Sequence, residues 1–178
     1  SAAAVLLSRT GLTAPASAGS LARTLGLMID TRPLRQAIPD AKDWAGYKDD
    51  LDVRYAHKLL FGKRVDEVQT LFGQGRSIER ASELLFAPRR VFQYYVFAFA
   101  AYVLSDAAHE DSDSASPFLL LLINREKRDP GSVKQIYERI APIVSTVAGR
   151  QAFYDADPDI YGNFRDHEAE LAALCNEA

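Results

Sequence analysis

The sequence predicts a single all-α domain, an irregular bundle of seven to nine helices around a central apolar helix at residues 91–104. Three observations carry this. Apolar residues recur at steps of three and four in every long segment, the period of an amphipathic helix. Short breaks containing Gly, Pro or Asp separate these segments, and none shows the sustained alternation of a half-buried strand. Val91–Leu104 is apolar on nearly every side, interrupted only by Gln93, which marks a helix enclosed by other helices. The 178 residues, 48% apolar and 25% charged, suit one globular domain and exclude wholesale disorder.

Residues 1–19 read as a loosely ordered N-terminal arm. Their apolar start has no basic flank, and Ala14-Pro15-Ala16-Ser17-Ala18 resembles a small-residue cleavage site only superficially. The helical domain is expected over 20–178. Leu21, Leu25 and Met28 share one face, and a turn of helix should follow Pro33 with Leu34 and Ile38 inward. Asp40 is placed to cap the next helix, whose stripe is Trp44, Tyr47, Leu51, Tyr55 and Leu59, with Gly62 just past its end. Val65, Val68, Leu71 and Phe72 mark a short helix stopped by Gly73-Gln74-Gly75. Ser77 should cap another, with Ile78, Ala81, Leu84 and Leu85 inward, and Ala87-Pro88 should end it. The central helix follows, with Phe92, Tyr95, Phe99 and Tyr102 expected in the core.

His109–Ser116 reads as an acidic loop, and Ser116-Pro117 as cap and first position of a helix. The six apolar residues Phe118–Ile123 fit a strand or a helix, and leucine richness with the run into Asn124-Arg125-Glu126-Lys127 favours helix. After the Asp129-Pro130-Gly131 turn, Ser132 and Gln135 match a capping box ahead of Val133, Ile136, Tyr137, Ile140, Ile143, Val144 and Val147. Pro142 predicts a kink near Ile140 or two abutting helices, closed by Phe153 and Tyr154. Asp155–Asn163 reads as a loop, and Asp166 as the start of a last helix with Leu171 and Leu174 inward.

Composition and motifs narrow the chemistry. The longest apolar run is shorter than the ~20 residues a spanning helix needs, so no membrane partner is expected, and a cytoplasmic location is the default. One cysteine, Cys175, excludes an internal disulfide framework and a cysteine zinc cage. Its place near the C-terminus predicts exposure and no catalytic use. His57, His109 and His167 stand in three separate segments, with no two-ligand helical spacing and no metal or other cofactor implied. Asp111 and Asp113 read as solvated acids. No nucleophile elbow and no phosphate loop occur. An enzyme would need a site converging from several helices, and this is the third reading.

Asp155, Asp157, Asp159 and Asp166 lie at spacings similar to the oxygen ligands of an EF-hand calcium loop. Ile160 stands where that loop has glycine, and Asp166 where it has glutamate. The resemblance covers these twelve residues. Ser77–Tyr95 resembles the helix-turn-helix of TetR-type repressors, which implies an all-α, ligand-responsive DNA-binding regulator with Arg76, Arg80, Arg89 and Arg90 toward DNA. Phe86 replaces the usual turn glycine, and the second helix runs into apolar Val96-Phe97-Ala98-Phe99 rather than polar side chains for base edges. The net charge of -3 also disfavours nucleic acid as the partner.

Charge distribution points elsewhere. Residues 152–178 hold seven acids against Arg165 alone, a net of -6, which leaves +3 on the other 151 residues of a chain totalling -3. Aromatic residues interleave with these acids, as at binding hot spots. The leading reading is a protein–protein interaction module, of inhibitor or immunity type. It would bind a basic partner protein through Asp155, Asp157, Asp159, Tyr161, Phe164 and Asp166. The regulator is second.

Overall fold

The structure, a computed structural model, describes residues 29–176. The expected arm at 1–19 and the face of Leu21, Leu25 and Met28 lie outside the described residues. Within them the chain is all helical, with no strand. The α-helices are α1 (Leu51–Leu60), α2 (Val65–Gln69), α3 (Ser77–Phe86), α4 (Arg89–Leu104), α5 (Ser112–Arg128), α6 (Tyr137–Ala148), the single turn α7 (Pro158–Tyr161) and α8 (Phe164–Asn176). Short 3-10 turns precede α5, α6 and α7.

Helix α4 is the axis, and it packs against α2, α3, α5 and α6. Twelve of its sixteen residues are buried, Phe92, Tyr95, Phe99 and Tyr102 among them. Phe99 stacks on Phe72 at 4.3 Å and meets the edge of Phe118 at 5.3 Å. The buried hydroxyls find carbonyl and carboxylate partners, as burial demands. Tyr95 Oη lies 2.6 Å from the Leu60 carbonyl at the end of α1. Tyr154 donates to the Val103 carbonyl (2.7 Å), one of the orphan acceptors at the end of α4. Tyr102 donates to Asp111 (2.6 Å) and fills the space beside Gly73, where a Cβ would come within 2.7 Å of its oxygen. With φ at +88°, that position requires glycine on both counts.

Phe118–Ile123 is helix, inside α5. Other expectations are corrected. Asp40 does accept the Lys42 and Asp43 N–H groups, but what it caps is a turn. Gly46 then takes φ +81°, and the chain restarts at Asp50, which accepts from Asp52 and Val53. The supposed stripe is therefore split across two elements. Trp44 is fully buried, whereas Leu51 and Tyr55 are exposed. Leu34 and Ile38 face solvent in an irregular segment. Ser77 is the first residue of α3, not its cap. Helix α5 begins at Ser112, so Pro117 lies inside it and Ser116 is buried. Helix α8 begins at Phe164, two residues ahead of Asp166.

The cap before α6 comes from a different helix. Buried Glu126 accepts the N–H groups of Gly131, Val133 and Lys134, at 2.5, 2.7 and 3.1 Å. Ser132 instead donates to the Asp129 carbonyl. The break that Pro142 suggested sits earlier, where a 3-10 turn abuts α6 at Tyr137. Arg125, next to Glu126, serves α3 in the converse way. Its guanidinium donates to the Leu85 and Ala87 carbonyls (2.6 and 2.8 Å) and stacks over Phe92. Two adjacent side chains on α5 thus satisfy the C-terminal end of α3 and the start of the 3-10 turn that leads into α6.

Candidate functional site

The acidic end is built on a tightly held loop. Helix α6 stops at Ala148, a 3-10 turn covers Gln151–Tyr154, and Asp155 takes left-handed backbone (φ 53°), which Asp tolerates better than most residues. Asp157 caps α7 by accepting the Asp159 N–H (2.9 Å). Gln151 holds the whole loop from inside. Its Nε2 donates to the Ala156 and Gly162 carbonyls (3.1 and 2.8 Å), and its Oε1 accepts the first N–H of α8, from Phe164 (3.0 Å). His167 Nε2 lies 3.1 Å from the Tyr161 carbonyl.

The loop is also tied to the start of α5. Tyr161 Oη donates to Asp113 Oδ1 (2.9 Å) and lies 3.1 Å from Ser112 Oγ. The Glu110 N–H donates to the Phe153 carbonyl (2.9 Å). These bonds tie the acidic segment 110–113 to Phe153 and Tyr161. Sequence reasoning set Asp111 and Asp113 aside as solvated. Asp111 in fact accepts from Tyr102 and Asp113 from Tyr161. On α7 stands Ile160, 74% exposed, the most exposed large apolar side chain among the described residues.

Of the six expected contact residues, Asp155, Asp157, Asp159 and Asp166 are exposed and Tyr161 is half-buried. Phe164 is corrected: it is fully buried beside Tyr154, so it anchors the loop to the core and meets no partner. The calcium-loop resemblance is not carried into three dimensions. A helical turn capped by Asp157 occupies the middle of the segment. Among the described residues no group of three or more His, Cys, Asp or Glu side chains is placed to hold a metal. His57 sits between the rings of Tyr47 (3.8 Å) and Phe61 (4.5 Å), edge-on to Trp44. Cys175 is buried rather than exposed, and burial pushes its thiol up to about 11, so it is neutral at physiological pH.

The four arginines of the helix-turn-helix reading separate. Arg76 stands exposed at the start of α3. Arg80 is turned onto Glu79 and Glu83 of its own helix, at 3.1 Å each. Burial raises the Glu83 carboxyl, and Arg80 opposes that shift. Helix α4, the would-be reading helix, leaves no free face for a DNA groove because it is enclosed nearly all round. Arg89 and Arg90, however, line a cavity of about 400 Å³ together with Arg35, Gln93 and Gln135. Arg89 is paired with Asp129, whose carboxyl is held below its ordinary range by that hydrogen bond and, against the opposing effect of burial, by Arg125 behind it. Arg90 donates to the Ala37 carbonyl (2.6 Å) and lies over the Tyr94 ring. Sequence reasoning missed Arg35, Gln93 and Gln135, which come from three separate segments with no local signature.

No family model, curated protein or solved structure matches the chain. Among the described residues no helix is long and apolar enough to cross a membrane.

Proposed function

We propose that the protein works by binding another protein, one with a basic surface, through the loop at 155–166 and the adjoining acids of 110–113. The observation that carries this is the joining of two acidic segments at Tyr161, next in the chain to the exposed Ile160. Acidic residues alone would steer a partner without holding it. An apolar side chain standing in the acidic field supplies the contact that slows dissociation. The loop's internal bonds lower the ordering cost of association, because its backbone already has partners before any protein arrives. This reading supports an inhibitor- or immunity-type role, in which an acidic loop covers a basic functional surface.

The test compares the wild type with two variants as immobilised bait in native lysate, with captured proteins identified by mass spectrometry. Ile160→Ala removes the apolar tip. The triple replacement of Asp155, Asp157 and Asp159 by Asn removes three charges and keeps a side-chain cap at 157. A basic protein should be held by the wild type at 0.1 M salt. It should be lost at 1 M, where the Debye length has fallen from ~10 to ~3 Å. Once that protein is purified, the triple variant should slow association and Ile160→Ala should speed dissociation. If both variants capture the same proteins in the same amounts as the wild type, the acidic loop is not the binding site.

A further inference from the structure

The arginine cavity has no part in that reading, and we infer that it is a binding site for a phosphate group, free or carried on a small organic molecule. Its polar lining is almost wholly hydrogen-bond donors. Arg35 makes no hydrogen bond or ion pair among the described residues. Arg89 commits Nε and Nη2 to Asp129 and the Pro130 carbonyl, which leaves Nη1. Arg90 commits one Nη2 hydrogen to Ala37, which leaves the other together with Nε and Nη1. Gln93 Nε2 donates to the Ser132 carbonyl and to Gln135 Oε1, both at 3.0 Å. That bond engages Gln135 Oε1 and leaves its amide N–H groups to offer, while Gln93 Oε1 is the one free side-chain carbonyl in the lining. An occupant must therefore be rich in acceptors, and guanidinium forks favour the paired oxygens of phosphate.

The charge agrees. Arg35, Arg89 and Arg90 line the cavity, Arg125 stands behind them on Asp129, and Asp129 is the carboxylate bonded to this group. Glu126, the other acid near Arg89, is committed to backbone N–H groups of the turn before α6. Helix α4 begins at this cavity with Arg89. It has no side-chain cap and no acid in its first turn, so its positive pole adds to the arginines, and Asp129 on Arg89 is the carboxylate that offsets them. Leu34 and Ile136 supply an apolar wall, and about 400 Å³ is space for more than a bare phosphate. Four of the side chains are already fixed by bonds to the backbone or to each other, which reduces what binding must order.

The probes are inorganic phosphate, glucose 6-phosphate and glucose, titrated calorimetrically into the full chain at 0.15 M KCl and pH 7.5. One saturable site per chain is expected for both phosphates and none for glucose. Tighter binding of the sugar phosphate assigns an organic phosphate, and equal binding assigns the free ion. Arg35→Ala should weaken binding about tenfold, the loss of one charge-assisted contact. It should leave the melting temperature unchanged, because Arg35 makes no hydrogen bond or ion pair among the described residues. Arg90→Lys keeps the charge and a donor for Ala37 but loses the fork, and it should also bind more weakly. The inference is overturned if neither phosphate saturates by about 10 mM, weaker than ordinary ligand affinities, or if Arg35→Ala binds like the wild type. Preference for duplex DNA over both phosphates would overturn it too, since the arginines would then belong to a nucleic-acid surface.

Discussion

Gln151→Ala tests whether one side chain holds the acidic loop in its shape. The replacement removes three hydrogen bonds and leaves the Ala156 and Gly162 carbonyls and the Phe164 N–H without that partner. At about 1 kcal/mol net for each bond, the gross loss is about 3 kcal/mol. Releasing a long, ordered glutamine returns up to about 1–2 kcal/mol of side-chain entropy, so the net cost should be about 2 kcal/mol. A domain stabilised by ~5–15 kcal/mol remains folded after that loss. Urea denaturation should show a lower midpoint with an unchanged slope.

Hydrogen exchange localises the effect. The amides of Ile160, Tyr161 and Gly162 bond within the loop, to the Asp157 and Pro158 carbonyls. They should exchange up to about 30-fold faster in the variant, the factor that corresponds to about 2 kcal/mol. Amides of α4 should exchange faster only as far as global stability falls. Gln151→Glu sharpens the test, because it sets a carboxylate against two carbonyl oxygens. The introduced acid's pKa should be raised in the folded state, so that variant should gain stability relative to wild type as the pH is lowered toward 4. A loss below about 0.5 kcal/mol, with unchanged exchange at 160–162, would show that other contacts hold the loop and that Gln151 is incidental.

Three further outcomes follow from the packing. Phe99→Ala should cost ~3–5 kcal/mol in chemical denaturation, because the ring is fully buried between Phe72 and Phe118. Glu126→Ala should cost about 2–3 kcal/mol by removing the acceptor of three N–H groups, that of Val133 buried, and Glu126→Gln should recover part of it; a loss under about 1 kcal/mol would refute the capping role. His57 is held below its ordinary value by burial and then by Lys48, so the folded state favours the neutral ring. Its stabilising contribution is complete above the unfolded value of ~6.5 and is lost as the pH falls through the lower folded value. Melting curves between pH 8 and 5 should therefore fall more steeply for wild type than for His57→Phe, which keeps the aromatic stack.

The elements legible in the sequence are those whose burial is nearly complete. Helix α4 shows its place in the fold without any reference to neighbours, because no face is polar enough to meet water. The stripe from Trp44 to Leu59 was misleading for the opposite reason. Apolar residues at helical spacing continued through a break that two caps and a left-handed glycine impose, and the stripe alone does not distinguish one helix from a turn followed by a shorter helix. Ser132 and Gln135 matched a local cap, yet Glu126, reaching from α5, supplies a better acceptor at the same place. Pro117 sits inside α5 because that helix begins earlier, at Ser112, than a proline-based reading of its start would place it.

The candidate sites divide along the same line. The excess of acid at 152–178 is a property of composition and needs no fold to be seen. Its joining to 110–113 depends on a tyrosine hydroxyl that crosses 48 residues of chain, and no local window contains both ends. The arginine cavity is more extreme. Arg35 lies in an irregular segment, Arg89, Arg90 and Gln93 on α4, and Gln135 in the turn before α6, and only the packing of α4 against its neighbours gathers them. Charge alone makes Arg89 and Arg90 conspicuous in the sequence, but a pair of arginines opening a helix serves a groove only when the helix itself is exposed. Here most of the helix is enclosed and its first turn is open, so the same two residues face a cavity. The acidic loop and this cavity share no residue. Ile160→Ala should therefore leave phosphate binding unchanged, and Arg35→Ala should leave capture of the basic partner unchanged. If either variant disturbed both, the two sites would belong to one surface, and neither the interaction reading nor the phosphate reading would stand in its present form.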